Sequence, residues 1–503
     1  MNNFNPTPAP FDWPAMYPTI AVFLAGVAAM FIEMLWPRRT NNAIVLTSLV
    51  GLGISAALVG KIWGQTSESL GGLFINDRFG QVMQIALIAV TFITILYSEG
   101  YLRERRVPFG EYYPLVIWSA VGGMIMATSR DLLVIFLGLE VLSIALYVLS
   151  GLSSKERKSQ ESALKYFLLG AFASGFLLYG IALVYGATGS THIGSIAALM
   201  QMGDAVDPVN VKLLYGGLGL ILVGFGFKTA LVPFHMWTPD VYQGAPTSVT
   251  GFMAAAVKIA AFAGLARFLD GAIDLRAVWL PIVMMLAVLT MTVGNLVALV
   301  QKDAKRILGY SSIAHAGYVL VALAAYGSLK GSADAVGYNT LAYYLISYGV
   351  MTVGAFAVLS LSARNGQEGT QLDDFNGMYQ RSPFLAAAMI IFMASLAGIP
   401  LTAGFLGKFL IFKDALSADL LWLALVLAVN SVISAFYYLR IVLAIAVQMS
   451  DPREPRFGRV NAGLVAACGA CVALVLGMFF WYQPMADWMS LRPEAVPVVR
   501  SSR

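Results

Sequence analysis

Residues 227–262 read FKTALVPFHMWTPDVYQGAPTSVTGFMAAAVKIAAF, in which two lysines interrupt largely apolar sequence. Lys228 precedes Pro233 by five residues, and Lys258 lies inside the run GFMAAAVKIAAF. A lysine at the centre of a membrane span costs at least about 2.5–3.5 kcal/mol on insertion scales, so such residues are rare and functional. The stretch therefore predicts membrane helices that hold buried, functional cations.

Composition places most of the chain in lipid. Charged side chains make up 12% of the 503 residues, whereas soluble domains carry about 25%. Hydrophobic residues make up 59%, so lipid must cover most of the surface. The net charge of +5 reflects cations in loops and does not indicate a nucleic-acid partner. The two cysteines, Cys468 and Cys471, cannot supply the four thiolates of an iron–sulfur cluster, and no metal site is expected.

Fourteen apolar runs are each long enough to cross a bilayer, which takes about 20 residues. Such runs exclude a membrane β-barrel, whose strands alternate over about 10 residues. Because backbone groups in lipid must be satisfied internally, the runs are helices, and the predicted fold is an all-α polytopic membrane protein. The predicted spans are 15–36, 43–63, 80–99, 112–129, 131–151, 160–186, 212–232, 246–269, 277–300, 306–326, 336–362, 383–411, 420–447 and 461–482.

The cations of the short loops predict the orientation, because loops rich in lysine and arginine stay in the cytoplasm. Sixteen cations lie in one alternate set of loops and eight in the other, so both termini are predicted on the periplasmic side. The N-terminal sequence has no basic segment, so no cleaved signal is expected. The sixteen are Arg38, Arg39, Arg103, Arg105, Arg106, Lys155, Arg157, Lys158, Lys302, Lys305, Arg306, Arg364, Arg381, Arg453, Arg456 and Arg459; the eight are Lys61, Arg78, Arg130, Lys212, Arg267, Arg276, Lys330 and Lys413.

Three short patterns recur in the same order and indicate an internal duplication. Spans 4–8 form one predicted copy and spans 9–13 the other. Five is an odd number, so the second copy enters the membrane from the opposite side, as in the inverted repeats of transporters. This division predicts an N-terminal three-span segment at 1–111, repeats at 112–269 and 270–450, and a last span with its tail at 451–503. The patterns are GFxxK at 224–228 and 404–408, the similar triplets at 166–168 and 344–346, and Asp131 and Asp303 before spans 5 and 10.

Each GFxxK pattern has a proline nearby, Pro233 after Lys228 and Pro400 before Lys408. Proline removes a backbone donor and clashes with the preceding turn, which predicts that the seventh and twelfth spans are broken near their lysines. A kink used only for packing is the alternative. Broken helices at membrane depth line cavities, and the pairing with a lysine in both repeats favours a functional break.

Ionisable residues far from the span ends are the candidate functional groups. A lysine in low-dielectric surroundings can lose and regain a proton near neutral pH, and a neighbouring carboxylate favours its charged form. A glutamate–lysine pair followed by further lysines is therefore a physically sensible proton relay. The candidates are Glu140, Lys228, Lys258 and Lys408, with Lys165 and His315 as candidate accessory members.

Some ionisable groups in the spans have simpler interpretations. Lys165 is close enough to a span end to reach water along its aliphatic stem, and the same holds for Glu33 and Arg440. His315 is equally compatible with a hydrogen-bonded core histidine. The loop assignment leaves five cations inside spans, namely Lys165, Lys228, Lys258, Lys408 and Arg440.

The motifs resemble those of the antiporter-like membrane subunits of respiratory complex I, the NADH–quinone oxidoreductase. The resemblance is carried by 227–262, by QKDAKRILGYSSIAHAGY at 301–318 and by AGIPLTAGFLGKF at 397–409. Within that family the chain is similar to the N-type subunits. The eighth span lacks the histidine pair of the L and M types, Lys408 stands where the M type has a glutamate, and no long lateral helix follows span 14.

The resemblance implies a proton-translocating subunit of an NADH:quinone oxidoreductase in the bacterial inner membrane. Glu140 and Lys228 would be a switching pair, Lys258 the central carrier, and Lys408 the group facing the periplasmic exit. NADH, FMN, iron–sulfur clusters and quinone would act in partner subunits, which include further antiporter-like chains, and this chain would hold no cofactor. The alternatives are a subunit of an Mrp-type Na⁺/H⁺ antiporter, which shares the core, and a purely structural membrane spacer.

Overall fold

The computed structural model describes residues 12–36, 42–107, 110–202, 210–329, 338–364, 366–446 and 457–489. Several predictions fall outside the described residues. They concern the N-terminal eleven residues, the domain boundary at 450, the tail after 489, the cations Arg38, Arg39, Lys330, Arg453 and Arg456, and the side chain of Arg364.

Helices form nearly all of the described chain. They are α1 (Trp13–Leu35), α2 (Asn42–Lys61), α3 (Arg78–Glu104), α4 (Tyr112–Thr128), α5 (Leu132–Ser150), α6 (Arg157–Thr188), α7 (Ile193–Met202), α8 (Val211–Thr229), α9 (Trp237–Gly244), α10 (Thr247–Phe252), α11 (Lys258–Gly271), α12 (Arg276–Val300), α13 (Ala304–Leu329), α14 (Asn339–Leu359), α15 (Met378–Arg381), α16 (Pro383–Ala397), α17 (Ala403–Ser417), α18 (Leu421–Ala446), α19 (Ala462–Phe480) and α20 (Tyr482–Met489). A π-helical segment, Met253–Val257, joins α10 to α11. Two antiparallel hairpins pair β1 (Ser67–Ser69) with β2 (Phe74–Asn76) and β3 (Ala363–Arg364) with β4 (Gln367–Glu368).

The helices account for the fourteen predicted spans. Within the described residues, twelve helical stretches are long and apolar enough to cross a membrane. The shorter apolar helices α4 and α16 supply the other two, and α16 continues across the membrane as α17. The all-α polytopic membrane fold is confirmed.

The seventh and twelfth spans are broken, as predicted. Helix α8 ends just before Ala230, whose φ of 60° is left-handed, and the chain passes Pro233 before α9 begins. Helix α16 ends at Ala397, just before Gly398, whose φ of 91° is readily adopted by glycine because it has no Cβ. Pro400 then follows before α17 begins. Each break therefore combines a left-handed residue with a proline that cannot continue the helix.

The starts of α5 and α13 carry the same set of hydrogen bonds. The Thr191 hydroxyl donates to Asp131 Oδ2 at 2.6 Å, and the Thr191 carbonyl accepts from the amide of the residue after Asp131 at 2.9 Å. The Thr370 hydroxyl donates to Asp303 Oδ2, and the Thr370 carbonyl accepts from the amide after Asp303 at 2.7 Å. This shared cap lies at the fifth and tenth spans and supports the duplication.

Helix α6 shows that the two copies are inverted. The Asp131 cap lies beside the C-terminal end of α6. The Asp303 cap lies beside the other end, because Lys165 near the start of α6 pairs with Asp240, which Arg306 also contacts. Helix α6 has 32 residues, which span about 48 Å at 1.5 Å per residue. The two caps therefore lie on opposite faces of the membrane.

Burial separates inner from outer helices. In the most apolar 18-residue segment of each helix, all residues of the α10–α11 stretch and 94% of those in α13 and α14 are buried. In α1, α2 and α6 the buried share is only 33%. The outer helices expose large apolar side chains such as Phe31, Leu137 and Phe172, which suit contact with lipid. The inner helices form a core in which an ionisable group is shielded from both lipid and bulk water.

Three cations that the loop count assigns to water are instead buried. Arg105 is 4%, Arg267 is 9% and Lys305 is 2% exposed. Arg267 donates to both carboxylate oxygens of Asp77 at 3.0 and 2.7 Å. A cation outside the predicted spans can thus still be buried, because neighbouring chain segments cover these three side chains.

Candidate functional site

Lys228 lies in the last turn of α8 and is almost fully buried. Its ammonium donates to Ser143 Oγ on α5 at 2.7 Å and to the Tyr166 hydroxyl on α6 at 3.0 Å. The ammonium also lies 5.0 Å from the centre of the Tyr166 ring, within the range of a cation–π interaction. All of these partners are side chains from neighbouring helices of the first repeat.

Glu140 lies on α5 and approaches the Lys228 site through Ser174, whose hydroxyl donates to the carboxylate. A cavity of about 10 Å³ is lined by Ser174 and Lys228 together with Tyr147, and this volume suits about one water molecule. Within the described residues, no salt bridge of 4.0 Å or less joins Glu140 to Lys228. Ser174, which contacts the carboxylate and lines the same cavity as Lys228, is therefore the link between the two groups.

Lys258 lies at the centre of the molecule, where the π-helical segment passes into α11. Its ammonium donates to the carbonyl oxygen of Thr229 at 2.5 Å and to that of Ser312 at 3.0 Å. Thr229 is the last residue of α8, whose terminal carbonyls have no partner within the helix. Because Ser312 lies on α13, Lys258 joins the first repeat to the second. A π-segment at such a position is typical of functional sites.

Lys408 lies on α17, after the break in the twelfth span. Its ammonium donates to the carbonyl oxygens of Leu396 and Ala397, both at 3.0 Å. These are the last two residues of α16, so the cation caps the negative end of the helix dipole. The ammonium also lies 5.1 Å from the centre of the Tyr318 ring.

His315 lies on α13 between two tyrosines. The Tyr344 hydroxyl contacts Nδ1 at 2.8 Å, and the Tyr438 hydroxyl contacts Nε2 at 3.0 Å. On the same helix, the Ser312 carbonyl accepts from Lys258 and the Tyr318 ring contacts the Lys408 ammonium, so His315 shares α13 with contacts of both lysines. Both imidazole nitrogens have partners that can donate or accept a proton.

Lys165 lies apart from these groups. Its side chain is 39% exposed and pairs with Glu161 at 2.6 Å and with Asp240 at 2.7 Å. Arg306 contacts the same aspartate at 2.8 Å. The structure therefore places Lys165 in an ion-pair cluster at the membrane face that carries the Asp303 cap, and its neighbour Tyr166 is the residue that reaches Lys228.

The arrangement can hold and pass protons. Lys228, Lys258, Lys408 and His315 are buried, and each makes hydrogen bonds that stabilise a charged or polar state. Among the described residues no direct hydrogen bond joins any two of them, so transfer between them requires water or movement. No cluster of three or more His, Cys, Asp or Glu side chains in the described ranges could hold a metal ion.

Hydroxyl groups surround the ionisable residues, and these groups were not among the residues predicted from the sequence. Tyr166 contacts Lys228, and Tyr344 contacts His315. These tyrosines begin the two repeated triplets, so the repeat itself indicated that they are equivalent. Ser143 lies three residues after Glu140, on the same face of α5, and this spacing was a second signal.

Comparison with known proteins gives consistent matches. The family described as NADH:quinone oxidoreductase/Mrp antiporter, TM, matches residues 129–434. NADH-quinone oxidoreductase subunit N of Trichlorobacter lovleyi is 44% identical, over 91% of this chain and 91% of the relative. NADH-quinone oxidoreductase subunit N of Chloroflexus aggregans is 40% identical, over 93% of this chain and 95% of the relative.

Solved structures share the fold over nearly the full length. A chain of respiratory complex I from Thermus thermophilus with bound aureothin matches with a TM-score of 0.78 and 36% identity, covering 93% of this chain and 98% of that chain. A chain of the Mrp complex from Dietzia sp. matches with a TM-score of 0.80 and 21% identity, covering 95% of this chain and 96% of that chain. At 21% identity the match to the Mrp chain shows a shared fold only. The two TM-scores are nearly equal, so it is the higher sequence identity that favours the complex I chain.

Proposed function

The chain belongs to the NADH-quinone oxidoreductase subunit N family, and from this premise we propose that its partly buried Glu140 and its buried Lys228, Lys258 and Lys408 carry protons across the membrane. It is a multi-pass membrane subunit of a multi-subunit respiratory complex and has the antiporter-like fold of proton-pumping subunits. Electron transfer occurs in partner subunits, and this chain uses the released free energy to move protons outward.

One observation carries the proposal. The ammonium of Lys258 donates to carbonyl oxygens of both repeats, Thr229 at the break of α8 and Ser312 on α13. A proton on Lys258 therefore stabilises contacts on both sides at once, and its loss weakens both. Such a group is suited to pass a proton between the two halves when the broken helix moves.

Glu140 and Lys228 act as the switch of the relay. The cavity between Ser174 and Lys228 admits about one water molecule, which can connect the carboxylate to the ammonium. When the carboxylate approaches, it favours the protonated lysine, and when it withdraws, the buried ammonium loses that support and releases its proton. Lys408 and His315 would pass the proton on towards the periplasm, with Lys165 as an accessory member.

The remaining parts of the proposal concern the setting of the chain. NADH, FMN, iron–sulfur clusters and quinone belong to partner subunits, which include further antiporter-like chains. The chain resides in the bacterial inner membrane with both termini on the periplasmic side, as its loop cations indicate. The four-part division at residues 111, 269 and 450 follows the two inverted repeats.

The test uses the assembled complex in inverted membrane vesicles. Glu140→Gln keeps the shape of the side chain but removes its charge, so NADH-driven proton uptake into the vesicles should fall while NADH–ferricyanide activity, which reports assembly, stays constant. Glu33→Gln, a change to another carboxylate that lies near a helix end, is the matched control. Normal proton uptake with Glu140→Gln would contradict the role of the switch.

An Mrp-type cation/proton antiporter is the second candidate, favoured by the TM-score of 0.80 with a chain of the Mrp complex. In that case the chain would be driven by an ion gradient and not by electron transfer. Affinity purification distinguishes the two candidates. NADH-dehydrogenase subunits among the bound proteins support the first, and other antiporter subunits alone support the second.

A further inference from the structure

A cluster of charges around the buried Arg105 lies outside the proposed relay. It lies where the end of α3 meets the α5–α6 loop, the corner between α9 and α10, and strand β4. We call it the Arg105 cluster, and its members are Tyr101, Arg105, Glu156, Thr247 and Glu368. It joins the N-terminal segment to both repeats, because Glu156 and Thr247 belong to the first repeat and Glu368 to the second.

Arg105 is the centre of this cluster. Its side chain is 2% exposed and contacts the Glu156 carboxylate at 2.6 Å and the Glu368 carboxylate at 3.6 Å. It also donates to the Gly366 carbonyl at 2.9 Å. Burial alone would lower the pKa of the guanidinium, but Tyr101, Glu368 and Glu156 together raise that pKa above its ordinary value. The side chain therefore stays charged, and breaking such a buried pair leaves an uncompensated charge.

Glu368 connects Arg105 to the start of α10. Its side chain is 8% exposed, and its carboxylate accepts from the Tyr101 hydroxyl at 2.9 Å and from the Thr247 hydroxyl. The Tyr101 hydroxyl in turn accepts from the Thr247 amide at 2.8 Å. The first residue of α10 is thus held through its backbone and its side chain, and the carboxylate complements the positive end of the helix dipole.

Lys305 holds the same corner from the other side. Its ammonium donates to the carbonyl oxygen of Ala245 at 2.5 Å, two residues before Thr247. The corner at 245–247 is therefore held by contacts from both α13 and the Arg105 cluster. The side chains of Arg105, Lys305 and Glu368 are all buried, so their contacts hold the corner in one position.

The corner lies eleven residues before Lys258, about 16 Å along a helix at 1.5 Å per residue. The π-helical segment Met253–Val257 lies between the two, and such segments mark places where a helix changes its register. The fixed start of the stretch at Thr247 therefore determines where Lys258 lies along the helix.

We propose that Arg105 and Glu368 are positioning residues for proton translocation, which hold the start of α10 so that Lys258 stays in register with the carbonyl groups of Thr229 and Ser312. The inference rests on the proposed role of Lys258. A displacement of about 1 Å at a transfer site can reduce a rate by about a hundredfold, so loosening the corner has a functional cost even though the cluster exchanges no proton itself.

The test measures position and pumping separately in the purified, assembled complex. Glu368→Gln should speed hydrogen–deuterium exchange of the amides at 247–250 and lower proton pumping per assembled complex by up to about tenfold. Glu368→Asp, which keeps the charge, should restore part of both. Arg103→Ala is the matched control, because Arg103 lies two residues from Arg105 but forms an exposed pair with Glu99.

Each result decides the proposal. Faster exchange with reduced pumping in Glu368→Gln, and neither change in Arg103→Ala, supports it. Unchanged exchange overturns it, and so does faster exchange with normal pumping. If Glu368→Gln does not assemble, Tyr101→Phe removes the hydroxyl that accepts from the Thr247 amide and donates to Glu368, and the same two measurements decide. Hydrogen–deuterium exchange at 247–250 does not depend on the role of Lys258. If the proposed role of Lys258 is wrong, this would appear separately, as normal pumping in a Lys258 variant.

Discussion

The two broken helices share a sequence pattern but place their lysines differently. In the first repeat Lys228 precedes the break and donates to side-chain hydroxyls, whereas in the second repeat Lys408 follows the break and donates to main-chain carbonyls. The terminal carbonyl of α8 is capped instead by Lys258, from the next span. By contact, the counterpart of Lys408 is therefore Lys258, although the GFxxK pattern pairs Lys408 with Lys228.

This difference separates two kinds of cation site. A helix C-terminus supplies fixed carbonyl groups and a dipole that favours a cation by about 0.3–1 kcal/mol at exposed positions and up to about 2 kcal/mol in partly buried ones. Hydroxyl groups on neighbouring side chains can rotate and can both donate and accept. Lys258 and Lys408 therefore occupy fixed sites, while the Lys228 site can adjust as Glu140 approaches or withdraws.

The largest effect is expected from Lys258→Met, which keeps the length of the side chain but removes the amine. Proton pumping by the assembled complex should fall at least tenfold, since a positioned proton-transfer group contributes about 10²–10⁴-fold. NADH-driven proton uptake in inverted vesicles, normalised to NADH–ferricyanide activity, measures it. A pumping rate within twofold of that of the unmodified complex would contradict the proposed role of Lys258 in the relay.

Lys408→Arg tests whether the second fixed site is only a helix cap. Arginine can still contact the carbonyls of Leu396 and Ala397, but it does not release its proton in proteins. We expect normal assembly and proton pumping reduced about tenfold, by the same vesicle measurement. Full activity would show that Lys408 only caps the end of α16. Lys258 and Lys408 would then share a structural position but not a role in proton transfer.

The double change Ser143→Ala with Tyr166→Phe tests the adjustable site. It removes both hydroxyl partners of Lys228 and leaves the lysine in place. Each hydrogen bond to a charged group contributes about 1.5–3 kcal/mol, but water can replace part of this, so we expect an intermediate loss of pumping, about threefold to tenfold. Tyr343→Phe is the control, because the Tyr343 hydroxyl donates to the Met478 carbonyl, away from any lysine of the relay. An equal loss in the control would show a general packing effect.

The smallest effect is expected from Lys165→Ala. Its ion pairs with Glu161 and Asp240 are largely exposed, and such pairs contribute about 0–1 kcal/mol. Proton pumping should stay within about twofold of the unmodified complex, as measured by initial rates across a salt series. A loss comparable to that of Lys258→Met would instead make Lys165 an essential proton carrier and not an accessory member.

Much of the fold could be read from sequence because each cause is local. Apolar length predicts the spans, and Pro233 and Pro400 predict the two breaks, since a missing donor acts at its own position. The inverted duplication also followed from spacing, and the caps at Asp131 and Asp303 now support it. The burial of Arg105, Arg267 and Lys305 could not be predicted in the same way, because burial by distant chain segments leaves no mark on the local sequence.

The sequence by itself determined that this chain spans the membrane and which ionisable residues lie within it, because hydropathy is a sum over neighbouring residues. Only the tertiary structure decided what each of them contacts. It placed Lys258 between Thr229 and Ser312, residues 29 and 54 positions away in the chain, and joined Arg105 of the N-terminal segment to Glu368 of the second repeat. A hydrogen bond depends on distance in space, and in this fold the partners come from helices that are remote in sequence.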